Sequence, residues 1–180
     1  MRKLAALLLI CGCQGEQVGT TATDAATDAA MEAGPCDLVA GNLIPDGSFE
    51  QSLGAAWGGG LEVVGGGADH CQRWAKLTTT EPWAGASKKI TLQGESGDVF
   101  EFGASLQRLD EFGAPTLALQ NDSAVLQTNV INPLPSKSTW VRVRGSLKLD
   151  RHVDSLTIAL GANGPDARIL GIDNVWLIKK

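Results

Sequence analysis

The feature that most constrains the fold of this chain is a series of short runs in which apolar and polar residues alternate. The clearest run covers residues 99–109. Its inward set is Phe100, Phe102, Ala104 and Leu106, and its outward set is Glu101, Gly103, Ser105 and Gln107. Successive side chains of a β-strand point to opposite faces, so a period of two indicates a strand with one buried face. This run therefore predicts a strand that packs one face against a core.

Similar runs recur along the chain, with turn-forming residues between them. They cover residues 61–64, 72–80, 86–92, 116–120, 124–130, 140–149 and 155–160. The 180 residues include 22 glycines, a larger share than the usual value of about 7%. No long apolar stripe with the helical period follows residue 36. Short strands at this spacing predict one all-β domain, an antiparallel β-sandwich.

The two ends of the domain carry less regular apolar patterns. Pro45-Asp46-Gly47 has the chemistry of a tight turn, which we expect to run into a strand beginning near Phe49. Near the C-terminus, Ile172 and Val175 are both apolar but differ by three positions. A strand through both residues needs a β-bulge, unless the strand starts near Val175.

The N-terminus has the features of an export signal. Met1-Arg2-Lys3 is positively charged, and the apolar residues 4–10 form a run far shorter than the about 20 residues of a membrane-spanning helix. Ile10-Cys11-Gly12-Cys13 then resembles a bacterial lipobox with Cys13 as the lipidated residue, which implies a stable acyl anchor. The following Gln14 favours the outer membrane of the cell envelope. The alternative is an ordinary secretory signal that is cleaved nearby.

The sequence predicts three parts: a signal peptide at 1–12, a lipid-anchored low-complexity tether at 13–35, and a β-sandwich domain at 36–180. The tether repeats Thr-Asp-Ala-Ala at 23–26 and 27–30 and has no aromatic residue to bury, so we expect a flexible segment. The net charge of the chain is −5. This charge argues against a nucleic-acid partner and leaves the lipid anchor as the contact with the membrane.

Two cysteines remain once Cys11 and Cys13 are assigned to the signal. In an exported protein, Cys36 and Cys71 are expected to form a disulfide. The alternative is a metal site that uses Cys71 with its neighbour His70, but a lone His-Cys pair is a weak signal for a metal.

The sequence lacks the patterns that catalytic sites of common classes need. Gly-x-Ser-x-Gly, a Walker loop and His-Glu-x-x-His are absent, and His70 and His152 lie in polar, turn-like contexts. Asp110-Glu111 is the nearest candidate for a pair of glycosidase carboxylates, but adjacent loop acids are usually solvated. We therefore expect a protein that is not an enzyme.

Several motifs together resemble the carbohydrate-binding modules of the CenC type. They are Asn-Leu-Ile-Pro-Asp-Gly-Ser-Phe-Glu at 42–50 followed by Trp57, Asp-Val-Phe-Glu-Phe-Gly-Ala-Ser-Leu at 98–106, Thr-Trp-Val-Arg-Val-Arg-Gly at 139–145, and Ile-Asp-Asn-Val-Trp-Leu at 172–177. The resemblance covers residues 42–178. It implies a jelly roll of the galactose-binding-like superfamily and a non-catalytic role in binding a polysaccharide or glycan.

Glu50 and Asp173 lie in otherwise apolar terminal stretches, where an unpaired carboxylate is costly. A structural calcium ion would resolve that cost, and the resemblance implies such an ion because these two positions match acidic residues of the modules. The alternative is that both carboxylates are exposed or accept hydrogen bonds from backbone amides.

The ligand-binding residues that we predict are Trp83, Gln107, Arg108 and Gln120. Trp83 lies in a loop, where its ring could stack on a sugar. The outward residues Gly103, Ser105, Ala118 and Ala159 are small, and we expect them to form a shallow groove floor with the other three predicted residues reading hydroxyl groups. The alternative function is a structural or protein-binding lipoprotein domain without a sugar site. We expect a monomer in either case.

Overall fold

The chain divides into two compact units, Met1–Met31 and Glu32–Lys180. The computed structural model describes residues 36, 39–51, 53, 57–79, 85–110, 114–121, 124–130, 136–163 and 168–180, all in the second unit. The predicted signal peptide and tether, the lipidation site Cys13 and the predicted ligand contact Trp83 lie outside these residues. No helix in the described ranges is long and apolar enough to cross a membrane.

Ten strands form two five-stranded sheets. The strands are β1 (Trp57–Gly58), β2 (Leu61–Gly65), β3 (Arg73–Thr79), β4 (Gly85–Gly94), β5 (Val99–Arg108), β6 (Ala114–Asn121), β7 (Ala124–Val130), β8 (Trp140–Lys148), β9 (Val153–Asn163) and β10 (Arg168–Lys179). Sheet 1 has the order β1-β4-β9-β6-β7 and sheet 2 the order β2-β3-β10-β5-β8. All their pairings are antiparallel. The fold is the predicted all-β sandwich of the jelly-roll type.

The hydrophobic core lies between the two sheets and is built by the alternating residues. Thirteen inward residues of β5, β6, β9 and β10 are at most 2% exposed: Phe100, Phe102, Ala104, Leu106, Leu117, Leu119, Leu156, Ile158, Leu160, Leu170, Ile172, Val175 and Leu177. This inward set confirms the alternation in the 99–109 run. Burial of these side chains is the main force that holds the sheets face to face.

The N-terminal segment runs beside the last strand. The Leu43 amide donates to the Leu177 carbonyl at 2.8 Å, and the Val175 amide donates to the Gly47 carbonyl at 2.9 Å. The turn around Gly47 was predicted, but the strand at Phe49 was wrong: Phe49 has a φ of 57°, and the first strand begins at Trp57. Phe49 follows the turn at 45–48 and lies outside every strand. Phe49 is nevertheless 2% exposed and belongs to the core.

The last strand contains a β-bulge, which was one of the two alternatives for the spacing of Ile172 and Val175. In the register with β5, Asp173 pairs with Ser105 and Trp176 pairs with Gly103, so one extra residue lies between these pairs on β10. Asn174 absorbs it with a φ of 52°. The bulge allows Val175 to enter the core while Asp173 and Trp176 both lie on the outer face of sheet 2.

Lys88 is a cation on the inward face of sheet 1, near the edge of the sandwich. The sequence pattern did not predict this position. Lys88 is the register partner of Ile158 and so shares the inward face of sheet 1. Its Nζ donates to both carboxylate oxygens of Asp46, at 2.6 and 2.7 Å, and lies 5.4 Å from the centroid of the Trp57 ring. The ion pair holds the N-terminal turn against β4.

Candidate functional site

The outer face of sheet 1 carries a continuous line of small residues. Register pairs connect one residue from each of the five strands, and these residues are Gly58, Ser87, Ala159, Ala118 and Thr128. We call this set the small-residue row. Because neighbouring strands are about 4.8 Å apart, the row crosses the sheet over roughly 19 Å. It confirms that the predicted floor residues Ala118 and Ala159 are neighbours.

A second line of residues lies two positions further along the strands. Lys89, Thr157 and Gln120 are register partners on adjacent strands, and we call them the polar row. The polar row is about 7 Å from the small-residue row. Val125 on β7 is the register partner of Gln120 and is 57% exposed. The outer face of sheet 1 thus carries a line of small residues beside a line of ammonium, hydroxyl and amide groups.

The prediction that Gly103 and Ser105 belong to the same floor as Ala118 and Ala159 was wrong. Gly103 and Ser105 are on β5 in sheet 2, whereas the two alanines are on β6 and β9 in sheet 1. Outward residues of opposite sheets face away from each other, with the core between them. No single groove can therefore include all four residues.

The predicted ligand-binding residues are divided in the same way. Gln120 belongs to the polar row of sheet 1. Gln107 is on sheet 2, is 8% exposed and donates through Nε2 to the Ser138 carbonyl at 2.8 Å, which gives it a structural contact. Arg108 follows it at the end of β5. The structure describes three of the predicted ligand-binding residues, and of these Gln120 lies beside the small-residue row.

A loop covers part of the outer face of sheet 2. Residues 66–72, between β2 and β3, form this capping loop. The Trp74 Nε1 donates to the Gly66 carbonyl at 2.7 Å, and the Trp140 Nε1 donates to the Gly67 carbonyl at 2.8 Å. The two indoles meet edge to face, with centroids 5.8 Å apart. Both rings therefore support the loop from below.

Acidic side chains fasten the same loop. Asp173 is 0% exposed and accepts hydrogen bonds from the amides of His70 at 3.1 Å and Asn174 at 2.7 Å. Burial raises the pKa of Asp173 to about 7, and the nearby Asp69 carboxylate adds to the increase. Glu50 Oε1 accepts from the amides of Gln72 and Arg73, both at 2.8 Å. Glu50 and Asp173 thus have the amide environment that was the alternative to calcium.

The oxygen donors around Asp173 match part of what the implied calcium ion requires. Asp173 and Asp69 place carboxylates together in a poorly solvated region, and oxygen ligands of this kind suit calcium. The described residues contain one group of three potential ligand atoms within 4.8 Å of one another, from Cys36, Glu50 and Cys71. That group does not suit calcium because two of its members are sulfurs joined in a disulfide.

The predicted disulfide between Cys36 and Cys71 is confirmed, with a Cα–Cα distance of 5.9 Å. It joins the start of the domain to the capping loop. The alternative metal site at His70 and Cys71 was wrong, because the Cys71 sulfur is bonded to Cys36 and offers no thiolate ligand.

The remaining titratable candidates have structural contacts. His152 is exposed between Asp154 and Glu95, at 3.0 Å from each, and hydrogen bonds to these carboxylates raise its pKa. Asp110 Oδ2 accepts a hydrogen bond from the Ile169 amide at 2.6 Å. These contacts agree with the interpretation of His152 as a surface residue. They also show that Asp110 holds the backbone of β10.

No family model matches the chain, and no curated protein matches it. Solved structures of the same fold include two carbohydrate-binding modules. The CBM22-1 xylan-binding domain of Xyn10C from Paenibacillus barcinonensis is 17% identical, with a TM-score of 0.54 over 73% of this chain and 90% of that chain. The TmCBM61 module in complex with β-1,4-galactotriose is 14% identical, with a TM-score of 0.54 over 77% of this chain and 99% of that chain.

Enzymes are also among the structural neighbours. A cyclase from Fischerella sp. TAU is 12% identical, with a TM-score of 0.59 over 78% of this chain and 94% of that chain. The chain spans only 23% of an arabinofuranosidase, MgGH51, at 14% identity and a TM-score of 0.56. Identities this low establish the jelly-roll fold and nothing about activity, because one fold hosts many functions.

Proposed function

We propose that this chain is a non-catalytic, surface-anchored carbohydrate-binding protein that holds a glycan chain on the outer face of sheet 1. The observation that carries the proposal is the small-residue row with the polar row beside it. A flat floor of this length admits an extended chain of sugar rings. Gln120, Thr157 and Lys89 offer amide, hydroxyl and ammonium groups that can bind sugar hydroxyls.

The structural neighbours support the proposal by analogy. One of them is described as xylan-binding and another was solved with a galactotriose. The proposal itself rests on the chemistry of the outer face. Hydrogen bonds and shape, rather than ring stacking, would supply the affinity contributed by the described residues of this face.

A glycan array, followed by calorimetric titration of any positive sugar, tests the proposal. Ala118→Trp fills the centre of the small-residue row and should weaken binding at least tenfold. Ser146→Trp is the matched control, because Ser146 is exposed on the outer face of sheet 2, opposite Glu101. Absence of binding to every glycan, or equal weakening by both variants, would refute the site.

The second candidate function is a structural or protein-binding domain without a sugar site. It is favoured by the composition of the outer face of sheet 1: its described residues include no aromatic ring, although such rings are common contacts for sugars. The glycan array separates the two candidates. Binding that Ala118→Trp removes supports the first candidate, whereas a silent array supports the second.

We also propose that the protein is exported and lipid-anchored through Cys13, with the outer membrane as its location. The disulfide between Cys36 and Cys71 supports an oxidising compartment, because cytosolic proteins seldom keep structural disulfides. The domain would then reach its glycan from the tether, as a monomer.

We further propose that a structural calcium ion binds at Asp173 and that Glu50 acts in the same region. The supporting observation is the buried Asp173 carboxylate close to that of Asp69. A divalent cation would neutralise both groups. Calcium should raise the melting temperature of the chelator-treated protein, and Asp173→Asn should abolish that increase. An identical response of the two proteins to calcium would remove Asp173 from the ligand set.

A further inference from the structure

Trp176 lies on the outer face of sheet 2. Its register partner on β5 is Gly103. A Cβ atom on Gly103 would be 2.6 Å from each of three ring atoms of Trp176, namely Cε2, Cζ2 and Nε1. The indole therefore lies directly against Gly103, where any side chain would collide with it, and Trp176 is partly exposed to solvent.

The backbone directs this side chain to the outer face of sheet 2. The bulge between Asp173 and Trp176 turns the indole outward. It requires a left-handed Asn174, with a φ of 52°, a conformation that costs a non-glycine residue free energy. β-Bulges commonly re-aim a side chain next to a functional site. The bulge thus sets the direction in which the Trp176 side chain leaves the backbone.

Two arginines on the neighbouring edge strand β8 lie on the same face. Arg144 is the register partner of Gly103, Arg142 is the partner of Ser105, and both are exposed. The Arg142 Nε donates to Asp69 Oδ2 at 3.1 Å, while its side chain is 55% exposed. This contact uses one of the five N–H donors of a guanidinium group. An aromatic plane and cationic donors for an anion therefore occupy adjacent positions, on a chain whose net charge is −5.

We propose that Trp176, Arg142 and Arg144 form a binding site for an acidic sugar, a uronate residue of a polysaccharide. The sugar ring would stack on the indole through its C–H face, and a guanidinium group would bind the carboxylate in the bidentate geometry that arginine favours. This site is on sheet 2 and is separate from the glycan site proposed on sheet 1. The single ring and the two cationic neighbours together favour a sugar that is both cyclic and anionic.

The test is calorimetric titration of the full chain, purified in detergent, with an oligogalacturonate of defined length. A galactan oligomer of the same length is the neutral comparison. Trp176→Ala and Arg144→Gln should each weaken oligogalacturonate binding at least tenfold and leave any galactan binding unchanged. Lys148→Gln is the matched control, because Lys148 is an exposed cation further along the same face of β8, and it should change the affinity less than twofold.

Folding and the site on sheet 1 are controlled separately. Arg144 is exposed on an edge strand, so Arg144→Gln should keep the native melting temperature even if Trp176→Ala lowers it. Ala118→Trp should leave oligogalacturonate binding intact. The proposal is overturned if the wild-type chain does not bind oligogalacturonate, if Lys148→Gln weakens binding as much as Arg144→Gln, or if Ala118→Trp abolishes it. If the site proposed on sheet 1 bound no glycan, the oligogalacturonate result would still stand.

Discussion

Gly47 occupies a point where two backbone segments approach more closely than any side chain permits. A Cβ atom there would be 1.9 Å from the carbonyl oxygen of Val175, and a backbone carbonyl cannot swing aside as a flexible side chain can. This contact accompanies the hydrogen bond from the Val175 amide to the Gly47 carbonyl. Glycine at this position is therefore a condition for docking the N-terminal segment on β10.

We expect Gly47→Ala to lower the free energy of unfolding by about 3 kcal/mol or more, because the docked segment must move away from β10. Gly65→Ala is the control: a Cβ atom at Gly65 meets nothing within 4 Å, so stability should change by less than about 1 kcal/mol. Urea unfolding of both variants measures the difference. Equal stabilities would contradict the close approach at Gly47.

Asp173 should make stability depend on pH when calcium is removed by a chelator. Its folded-state pKa is raised to about 7, whereas an unfolded aspartate has a pKa of about 3.9. The folded state therefore binds the proton more tightly, so the stabilising contribution is complete below about pH 4 and is lost as the pH rises through about 7. A shift of this size corresponds to about 4 kcal/mol.

Asp173→Asn removes the titrating group with little change in shape. We expect the difference in unfolding free energy between this variant and the wild-type chain to shift by a few kcal/mol, in favour of the variant, between pH 4 and pH 8. Chemical denaturation at several pH values in chelator measures it. A difference that does not vary with pH would show that Asp173 keeps an ordinary pKa in the folded state.

At the scale of elements, the capping loop has covalent and hydrogen-bonded attachments. Asp69 Oδ2 accepts from Ser105 Oγ at 2.6 Å, and the disulfide fixes Cys71 to Cys36. The loop lies over a sheet whose own backbone hydrogen bonds are already satisfied by neighbouring strands. The position of the capping loop therefore depends on these side-chain and disulfide attachments and not on backbone pairing with the sheet.

Replacing Cys36 and Cys71 together by serine should destabilise the domain by roughly 3–4 kcal/mol, since the bond closes a loop with a sequence separation of 35. Hydrogen exchange should accelerate first at the capping-loop amides of His70 and Gln72. Amides of β5, in the centre of the sandwich, should exchange only with global unfolding. Uniform acceleration across the domain would contradict this local role.

The sequence predicted most elements because alternation is a local signal. The run at 99–109 became β5, and of the two alternatives for the spacing of Ile172 and Val175 the structure has the bulge. The two-residue strand β1 was missed, because two residues show no period. The predicted strand at Phe49 failed because the turn continues into a left-handed residue.

The candidate site was predictable only in part. Alternation identifies the outward residues of one strand, but it does not say which sheet that strand joins. Gly103 and Ala118 look alike in sequence, yet strand pairing places them on opposite sides of the molecule. The pairing of Lys89 with Thr157, and of Thr157 with Gln120, connects residues far apart in the chain. Such non-local register has no signature in a single sequence.

At the scale of the whole molecule, the proposed anchor can be tested by metabolic labelling. The wild-type chain expressed in a bacterial host should incorporate labelled palmitate and sediment with membranes, because several acyl chains give stable attachment. Cys13→Ser should lose both properties. Cys11→Ser is the matched control and should keep them. Labelling that persists in Cys13→Ser would refute the assignment of the lipidated residue.

The position of the disulfide has a mechanical consequence for a protein held at its N-terminus. Tension that arrives at Cys36 can pass through the sulfur bridge directly into the base of β3, bypassing the intervening residues 37–70. The docked segment at 39–50 therefore carries little of the load and is not peeled from β10 one hydrogen bond at a time. Under the proposed anchoring and glycan binding, a pull between the two would act on the sandwich as one body, and reduction of this disulfide would let the segment at 39–50 detach first.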